Sequence, residues 1–366
     1  MKLLDKYILK QIFAATLVGI ILFIVVWISP EILFKIIKRT VAGEYTIAVA
    51  IKRFIFEIPE ILGKAIPVGL LLGNLFIFDK LSKDFELTIL RNIGISLKRI
   101  LAPVIALSLI FSVLCFVTYD KLIPVAAKKL AALNNDRETI QFVYMKKTKE
   151  EKPEQIIIVS NYSDYKIKGV TVLNFSQHNM SNKPLMDRVY SAEYALYTPD
   201  YWELKDGVEY FINDVNIYED ITKFDSIKIL DKETSARVYK IMQLSTKKHE
   251  TFTNDELKEY ISLLKKEKLT DEYLYNQNKL YQRYFQVISC IFLAICGVVL
   301  GFGRPREKRL IGFTSAVGVI FMYYLINPFL DLLAQYGVLP PMLTAAIPCL
   351  LVIAATLTAA KLKQLI

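Results

Sequence analysis

Six apolar runs of membrane-crossing length bracket a charged, tyrosine-rich middle, and that spacing limits the fold more than any other feature. The runs cover residues 12–28, 54–78, 100–119, 285–302, 311–333 and 343–362. Each is close to the ~20 residues a helix needs to cross the hydrocarbon core. Inside a bilayer each backbone polar group must bond within its own segment, so such runs are helices. Hydrophobic residues are 54% of the 366, too many for an ordinary soluble chain, and they gather at the two ends. The expected fold class is a membrane α-helical protein with six transmembrane helices, three plus three, and an inserted extracytoplasmic all-β domain. The expected divisions are a first transmembrane half at 1–123, the inserted domain with a C-terminal helix at 124–278, and a second half at 279–366.

The first run is entered through Lys2, Lys6 and Lys10, with Leu3, Leu4, Tyr7 and Ile8 between them. A cleaved signal peptide is the competing reading. It fails on the exit side, where Trp27, Ser29 and Pro30 follow instead of a small-x-small site. Loop charge sets the orientation. Lys80, Lys83, Arg91, Lys98 and Arg99 fill the second-to-third connection, Arg304, Arg306, Lys308 and Arg309 the fourth-to-fifth, and Lys361 and Lys363 follow the sixth run. All fall on one side if the N-terminus is cytoplasmic, which places both termini in the cytosol and the middle domain outside. One cluster breaks the pattern: Lys35, Lys38, Arg39, Lys52 and Arg53 lie outside, between the first two runs. Headgroup snorkelling explains such residues. So does a site for an anionic substrate, since charge held at a membrane is costly and tends to serve function.

Much chemistry is missing. There is no Gly-x-x-x-x-Gly-Lys-Ser/Thr loop, no Gly-x-Ser-x-Gly elbow and no His-Glu-x-x-His. Cys115, Cys290, Cys296 and Cys349 all sit in apolar runs, and His178 and His249 are isolated. A buried thiol behaves mostly as a small hydrophobe. No catalytic site, metal or cofactor is expected. The net charge of +10 could suggest nucleic acid, but in a membrane protein basic residues more often face cytosol and lipid headgroups, so no nucleic-acid partner is expected. Asp331, at the end of the fifth run, reads as interfacial and solvated. Gly69-x-x-x-Gly73 and Gly297-x-x-x-Gly301 permit close helix packing.

The middle carries short β-branched and aromatic runs at 155–160, 170–175, 189–197 and 208–212, separated by turn signals such as Lys168-Gly169 and Asp206-Gly207. They predict an antiparallel sandwich or an open, barrel-like sheet. In the third run Tyr190, Ala192, Tyr194 and Leu196 form the more apolar face and should point inward. Thr253-x-x-Glu256 is a capping box. It opens an amphipathic helix with Leu257, Tyr260, Ile261 and Leu264 apolar.

Residues 80–96 read as a small complete helix of about 82–94 at a membrane face. Ser82 is its expected cap, Asp84 and Glu86 suit the positive end of its dipole, and Gly94 is its stop. Phe85, Ile89 and Ile93 make an apolar stripe. On local pattern alone this is a linker helix on the lipid surface.

Taken together, these segments resemble the LptF/LptG permease family, also called YjgP/YjgQ, over essentially the whole chain. Leu4-Asp5-Lys6-Tyr7-Ile8 looks like the family's opening, and Pro59 and Pro67 like its paired prolines. The stretch from Asp84 to Ser96 is similar to its Ser-Glu-Leu…Leu-Arg-Ala-x-Gly-Ile-Ser signature. Ala192-Glu193-Tyr194-Ala195 with Trp202-x-Leu204-x-x-Gly207 resembles its periplasmic jellyroll, and Thr253 to Leu264 its Glu-Leu-x-x-Tyr-Ile-x-x-Leu helix. Phe85 stands where the family has a small residue, Asn92 where it has alanine, and 282–286 lacks its proline.

The resemblance implies a non-catalytic transport subunit of the bacterial inner membrane. It would be the permease of an ABC transporter that extracts lipopolysaccharide and passes it to a periplasmic bridge. An LptB-like ATPase dimer would dock on the short cytoplasmic helix, with Glu86 as the main contact and Phe85, Ile89, Arg91 and Gly94 in support. A second LptF/LptG-type permease, the same or different, would pair with this chain. An LptC/LptA-like jellyroll would take the lipid by strand addition. Lys35, Lys38 and Arg39 fall where the family has basic residues near lipid phosphates. Two other classes compete with this reading. A membrane-anchored sensor or scaffold with a ligand-binding outer domain would need fewer spans and a cytoplasmic output domain. A MacB-like permease has four spans, with its soluble domain after the first.

Overall fold

The computed structural model describes residues 3–28, 30–133, 142–148, 152–163, 166–177, 184–213, 218–245, 247, 249–303 and 310–363. Lys2, His178, Arg304, Arg306, Lys308 and Arg309 lie outside the described residues. In chain order the elements are α1 (Leu3–Trp27), α2 (Pro30–Val41), α3 (Ile47–Lys83), α4 (Glu86–Asn92), α5 (Leu97–Val117), α6 (Ile123–Ala132), β1 (Phe142–Lys147), β2 (Pro153–Ser163), β3 (Lys166–Gln177), β4 (Pro184–Tyr197), β5 (Trp202–Ile212), β6 (Tyr218–Ile229), α7 (Lys232–Ser245), α8 (Asn254–Lys266), α9 (Thr270–Gly301), α10 (Leu310–Leu325), α11 (Asn327–Gln335) and α12 (Pro341–Leu362). They form two compact units, a helical one (1–133, 249–257 and 274–366) and a sheet one (134–248 and 258–273).

Among the described residues, six helical stretches are long and apolar enough to cross a membrane, one for each apolar run. The chain is a multi-pass membrane protein with an antiparallel sheet inserted between its helical halves. Two stretches outrun the hydrophobic pattern. The third run does not give way to strand at 124. Residues 118–122 form a single π turn, closed by the Ile123 N–H on the Thr118 carbonyl, and the helix continues as α6 to Ala132. Pro124 lies inside this continuous helix, just past the π turn, and has no N–H to give to the preceding turn. α9 begins at Thr270, well before the apolar stretch, and its polar first half carries Asn278, Lys279, Gln282 and Arg283.

α3 is the axis of the helical unit. Its 37 residues correspond to about 55 Å at 1.5 Å per residue, beyond the ~30 Å of hydrocarbon. Both glycine pairs pack at it. A Cβ on Gly73 would lie 2.6 Å from the Thr16 nitrogen of α1, and one on Gly69 would lie 2.9 Å from the Ile20 nitrogen. A Cβ on Gly297 would lie 2.3 Å from the Leu71 carbonyl oxygen, and one on Gly301 would lie 2.6 Å from that of Leu75. Helices in lipid gain contact through such small residues, because hydrocarbon supplies no hydrophobic drive between them. Fully buried Ile66, Leu70 and Phe78 of α3 join Ile8 and Ile12 of α1, Ile100 and Val104 of α5, and Cys290 and Ala294 of α9 in one core.

Among the described residues of the sheet unit, six strands pair antiparallel with their chain neighbours, in the order β1 to β6, and form one sheet. β6 interleaves its apolar residues with charged ones, so the sequence pattern passed over it, and β1 was passed over although Phe142 to Met145 are apolar. The predicted inward face of β4 holds for Tyr190 and Ala192 and then reverses: Ala195 is buried and Leu196 is exposed. β3 does the same, with Val170 and Val172 buried on one side of Gly169 and Ile167 on the other. So does β5, from Gly207 to Leu204 and Trp202. The reversal lies on one line across the sheet, where Gly169 and Asp206 have φ of 62° and 51°. A left-handed residue interrupts the pleat, so side-chain alternation restarts on the other face.

α7 covers part of this sheet. Tyr239 stacks on Tyr197 with centroids 3.7 Å apart and meets Tyr162 edge-on at 6.0 Å. The Trp202 indole donates to the Ser235 carbonyl at 3.4 Å. Tyr144 donates to Glu267 at 2.6 Å, and Arg237 pairs with the same carboxylate. Burial, then this hydrogen bond, push the Tyr144 hydroxyl above the ordinary tyrosine range, so it remains a donor. The capping box closes in both directions: Glu256 N–H donates to Thr253 Oγ1 at 3.2 Å, and Thr253 N–H donates to Glu256 Oε2 at 3.1 Å.

Candidate functional site

The α3–α4 turn gathers the predicted partner-contact residues. Its short helix begins at Glu86, and Ser82 is not its cap. α3 runs on to Lys83, leaving Ser82 buried in its last turn, where the hydroxyl contacts the Gly301 carbonyl and the Gly303 N–H at 3.4 Å each. The reversal occurs at Phe85, in the left-handed region at φ 60°, ψ 3°. Phe85 is the residue just past the end of α3, a position that favours glycine. A bulky side chain there costs roughly 1–2 kcal/mol, and strain of this kind gathers at functional sites. At the other end the Gly94 N–H bonds the Arg91 carbonyl and the Ile95 N–H bonds that of Leu90, with Gly94 at φ 85°. This is the six-to-one, five-to-two closure that needs a left-handed residue.

Leu81, Leu87 and Ile100 are buried beneath the turn, whereas Phe85, Ile89 and Ile93 stay exposed. Arg91 is exposed on the same short helix. The Tyr7 hydroxyl of α1 lies 3.2 Å from each Glu86 carboxylate oxygen. A cavity of about 180 Å³ under this contact is lined by Leu4, Tyr7, Ile8, Leu81, Glu86, Ile89 and Leu90. Two residues earlier on α1, Asp5 pairs with Arg99 of α5 at 2.7 Å. The first turns of α1 therefore touch both sides of the α4 segment. Local pattern marked Tyr7 only as part of an amphipathic entry. Its partner is 79 positions away.

The second group lies at the far end of α3. Lys35 and Lys38 of α2 are exposed. Arg39 is engaged: its Nη1 donates to the Tyr45 hydroxyl at 2.6 Å, and its Nε lies 3.7 Å from Glu44. Arg53 of α3 is 8% exposed and sits over the Tyr45 ring at 4.3 Å. Its Nε and Nη2 have no hydrogen-bond partner among the described residues. The sequence placed Arg53 in this cluster without marking it as the buried member.

A third group was not foreseen as a site. Asp331 of α11 is not left to solvent. It accepts from Lys279 at 2.6 Å and from Asn278 and Gln282 at 2.8 Å each, all on α9. Arg283, also buried, donates to the Phe252 carbonyl at 2.9 Å and to Asn254 Oδ1 at 3.1 Å. A cavity of about 280 Å³ lies among Trp27, Lys64, Tyr324, Lys279, Gln282 and Asp331. Polar groups in a membrane helix need such partners, since hydrocarbon supplies none. No cluster of three or more His, Cys, Asp or Glu able to hold a metal occurs among the described residues.

No curated protein matches this sequence. The match lies at the level of a family, described as lipopolysaccharide export system permease LptF/LptG, and covers residues 6–361. That span takes in all six membrane-crossing helices, the inserted sheet and the α3–α4 turn, and so the chain belongs to the LptF/LptG family of lipopolysaccharide export permeases.

Proposed function

We propose that this chain is the permease subunit of an ABC transporter that lifts lipopolysaccharide out of the bacterial inner membrane and passes it to a periplasmic bridge. Energy comes from a separate ATPase dimer. The observation that carries this reading is the α3–α4 turn. A carboxylate held at its edge by Tyr7 and an exposed apolar stripe led by Phe85 offer a docking surface for a partner with a cation beside an apolar groove. Glu86 makes the charged contact, Ile89 and Phe85 the apolar one, Arg91 a flanking one, and Gly94 ends the helix.

Orientation follows loop charge, with the termini and α4 cytoplasmic and the sheet unit periplasmic. A second permease of the same type completes the pathway, and an LptC/LptA-like jellyroll pairs with a sheet edge. Lys35, Lys38 and Arg39 meet the lipid's phosphates, where partial exclusion of water strengthens charge-assisted hydrogen bonds.

The test is Glu86→Ala in the full chain co-expressed with the ATPase. Loss of co-purification and of partner-stimulated ATP hydrolysis is expected, with the chain still folded in the membrane. Normal docking and turnover sink the assignment. A reporter fused after Leu133 should read as periplasmic, and a cytoplasmic signal overturns the topology.

A further inference from the structure

Arg53 is the anomaly at the α2–α3 end. A guanidinium is always charged and carries five donors, so burial without an anion or acceptors is unfavourable. Arg53 is more than nine-tenths buried, yet its Nε and Nη2 bond nothing among the described residues. These two donors share one edge of the guanidinium. That edge is the fork that binds two oxygens of a phosphate or carboxylate side-on.

A second observation concerns charge. Arg39 and Arg53 both lie over the Tyr45 ring, with their central carbons 5.6 and 4.3 Å from its centroid. Two cations share one aromatic ring; Glu44, 3.7 Å from Arg39, is itself exposed, and Glu57, which has interactions of its own, lies one turn from Arg53 on α3. Lys35, Lys38 and Lys52 add exposed positive charge on the same two helices. Such a cluster attracts an anion and is relieved by one.

We propose that Arg53 is the principal anion-binding group of this region, that its open fork takes two oxygens of a phosphate group, and that Tyr45 is the cover over it in the unliganded chain. Arg39, tied to the Tyr45 hydroxyl, holds the cover closed, and anion entry exchanges that contact for a bond to phosphate. Lys35 and Lys38 act earlier, by drawing the anion in. The proposal rests on the lipopolysaccharide reading only for the source of the phosphate. It differs from that reading in making Arg53, not the α2 lysines, the group whose loss matters most.

The experiment measures binding by the full-length protein in detergent to four probes: lipopolysaccharide, the same lipid with its phosphates removed by acid, phosphatidic acid vesicles and inorganic phosphate. Arg53→Met keeps the buried volume and removes both charge and fork. It is expected to weaken lipopolysaccharide binding at least tenfold, to leave binding of the dephosphorylated lipid unchanged, and to keep or raise the unfolding temperature. Arg53→Lys restores charge without the fork and should recover only part of the affinity. The double variant Lys35→Gln, Lys38→Gln should slow association more than it speeds dissociation. Wild-type affinity in Arg53→Met overturns the proposal, as does an equal loss for the dephosphorylated lipid. Arg53-dependent binding of phosphatidic acid without binding of lipopolysaccharide keeps the site and removes the lipopolysaccharide reading. Arg53-dependent binding of inorganic phosphate alone assigns the fork to free phosphate.

Discussion

Replacing Gly297 by alanine tests whether α3 is the rigid axis of the helical unit. The added methyl would lie 2.3 Å from the Leu71 carbonyl oxygen and 3.0 Å from its carbon, both backbone atoms that cannot rotate away. An ordinary contact needs roughly 3.4 Å, so α9 and α3 must part by about 1 Å. A gap of that size forfeits a quarter to a half of the dispersion energy of the atoms lining it. Overpacking of this kind costs about 1–3 kcal/mol. Alanine also gains about 1 kcal/mol of helix propensity over glycine. Gly318→Ala on α10 makes the same chemical change where no atom lies within 4 Å, so comparing the two variants cancels the propensity gain. The assay is reaction of the cysteines with a small maleimide, because Cys296, next to Gly297 on α9, is buried and shares a core with Leu71. If labelling follows rapid opening, 1–3 kcal/mol raises the rate in Gly297→Ala by about five- to over a hundredfold relative to Gly318→Ala. Equal labelling and equal unfolding midpoints for the two variants would refute the packing argument.

Tyr7→Phe removes the hydroxyl that holds Glu86 and should lower partner-stimulated ATP hydrolysis two- to tenfold, a milder loss than Glu86→Ala; unchanged turnover removes Tyr7 from the coupling surface. Phe85→Gly relieves a left-handed bulky residue and should stabilise the helical unit by about 1 kcal/mol while weakening ATPase co-purification, because the stripe loses its first member. Asp331→Asn strands Lys279 without its charge partner and should destabilise by about 3 kcal/mol, and a paired Lys279→Met, Asp331→Leu change should recover most of that, both read from unfolding midpoints. Asp231, which accepts from the Thr234 N–H at the start of α7, is held below the usual carboxylate range by its bonds to Thr234. Its capping contribution is therefore complete above the unfolded value near 4 and lost as pH falls through the lower folded value. Asp231→Ala should cost the sheet unit about 1 kcal/mol at pH 7, and progressively less as pH falls below the unfolded value.

Hydropathy determined the architecture without help from the structure. A bilayer demands helices of set length, so six apolar runs become six spans whatever their neighbours do. The capping box at Thr253 and the stop at Gly94 were equally legible, because each depends on residues three to five apart. Tertiary structure decided the rest, wherever the decisive partner is remote in sequence. Ser82 has the chemistry of a cap but spends its hydroxyl on the end of α9, 219 positions on. Asp331 looked solvated until the fold laid it beside Lys279. Alternation along β4 predicted the right face only as far as Glu193, because the reversal is set by left-handed residues on β3 and β5. Composition put Arg53 among five outer cations, and only its burial over Tyr45 with an open fork separates it from the others. Local periodicity reports which face of an element is apolar, whereas desolvation and partnership are properties of the assembled chain.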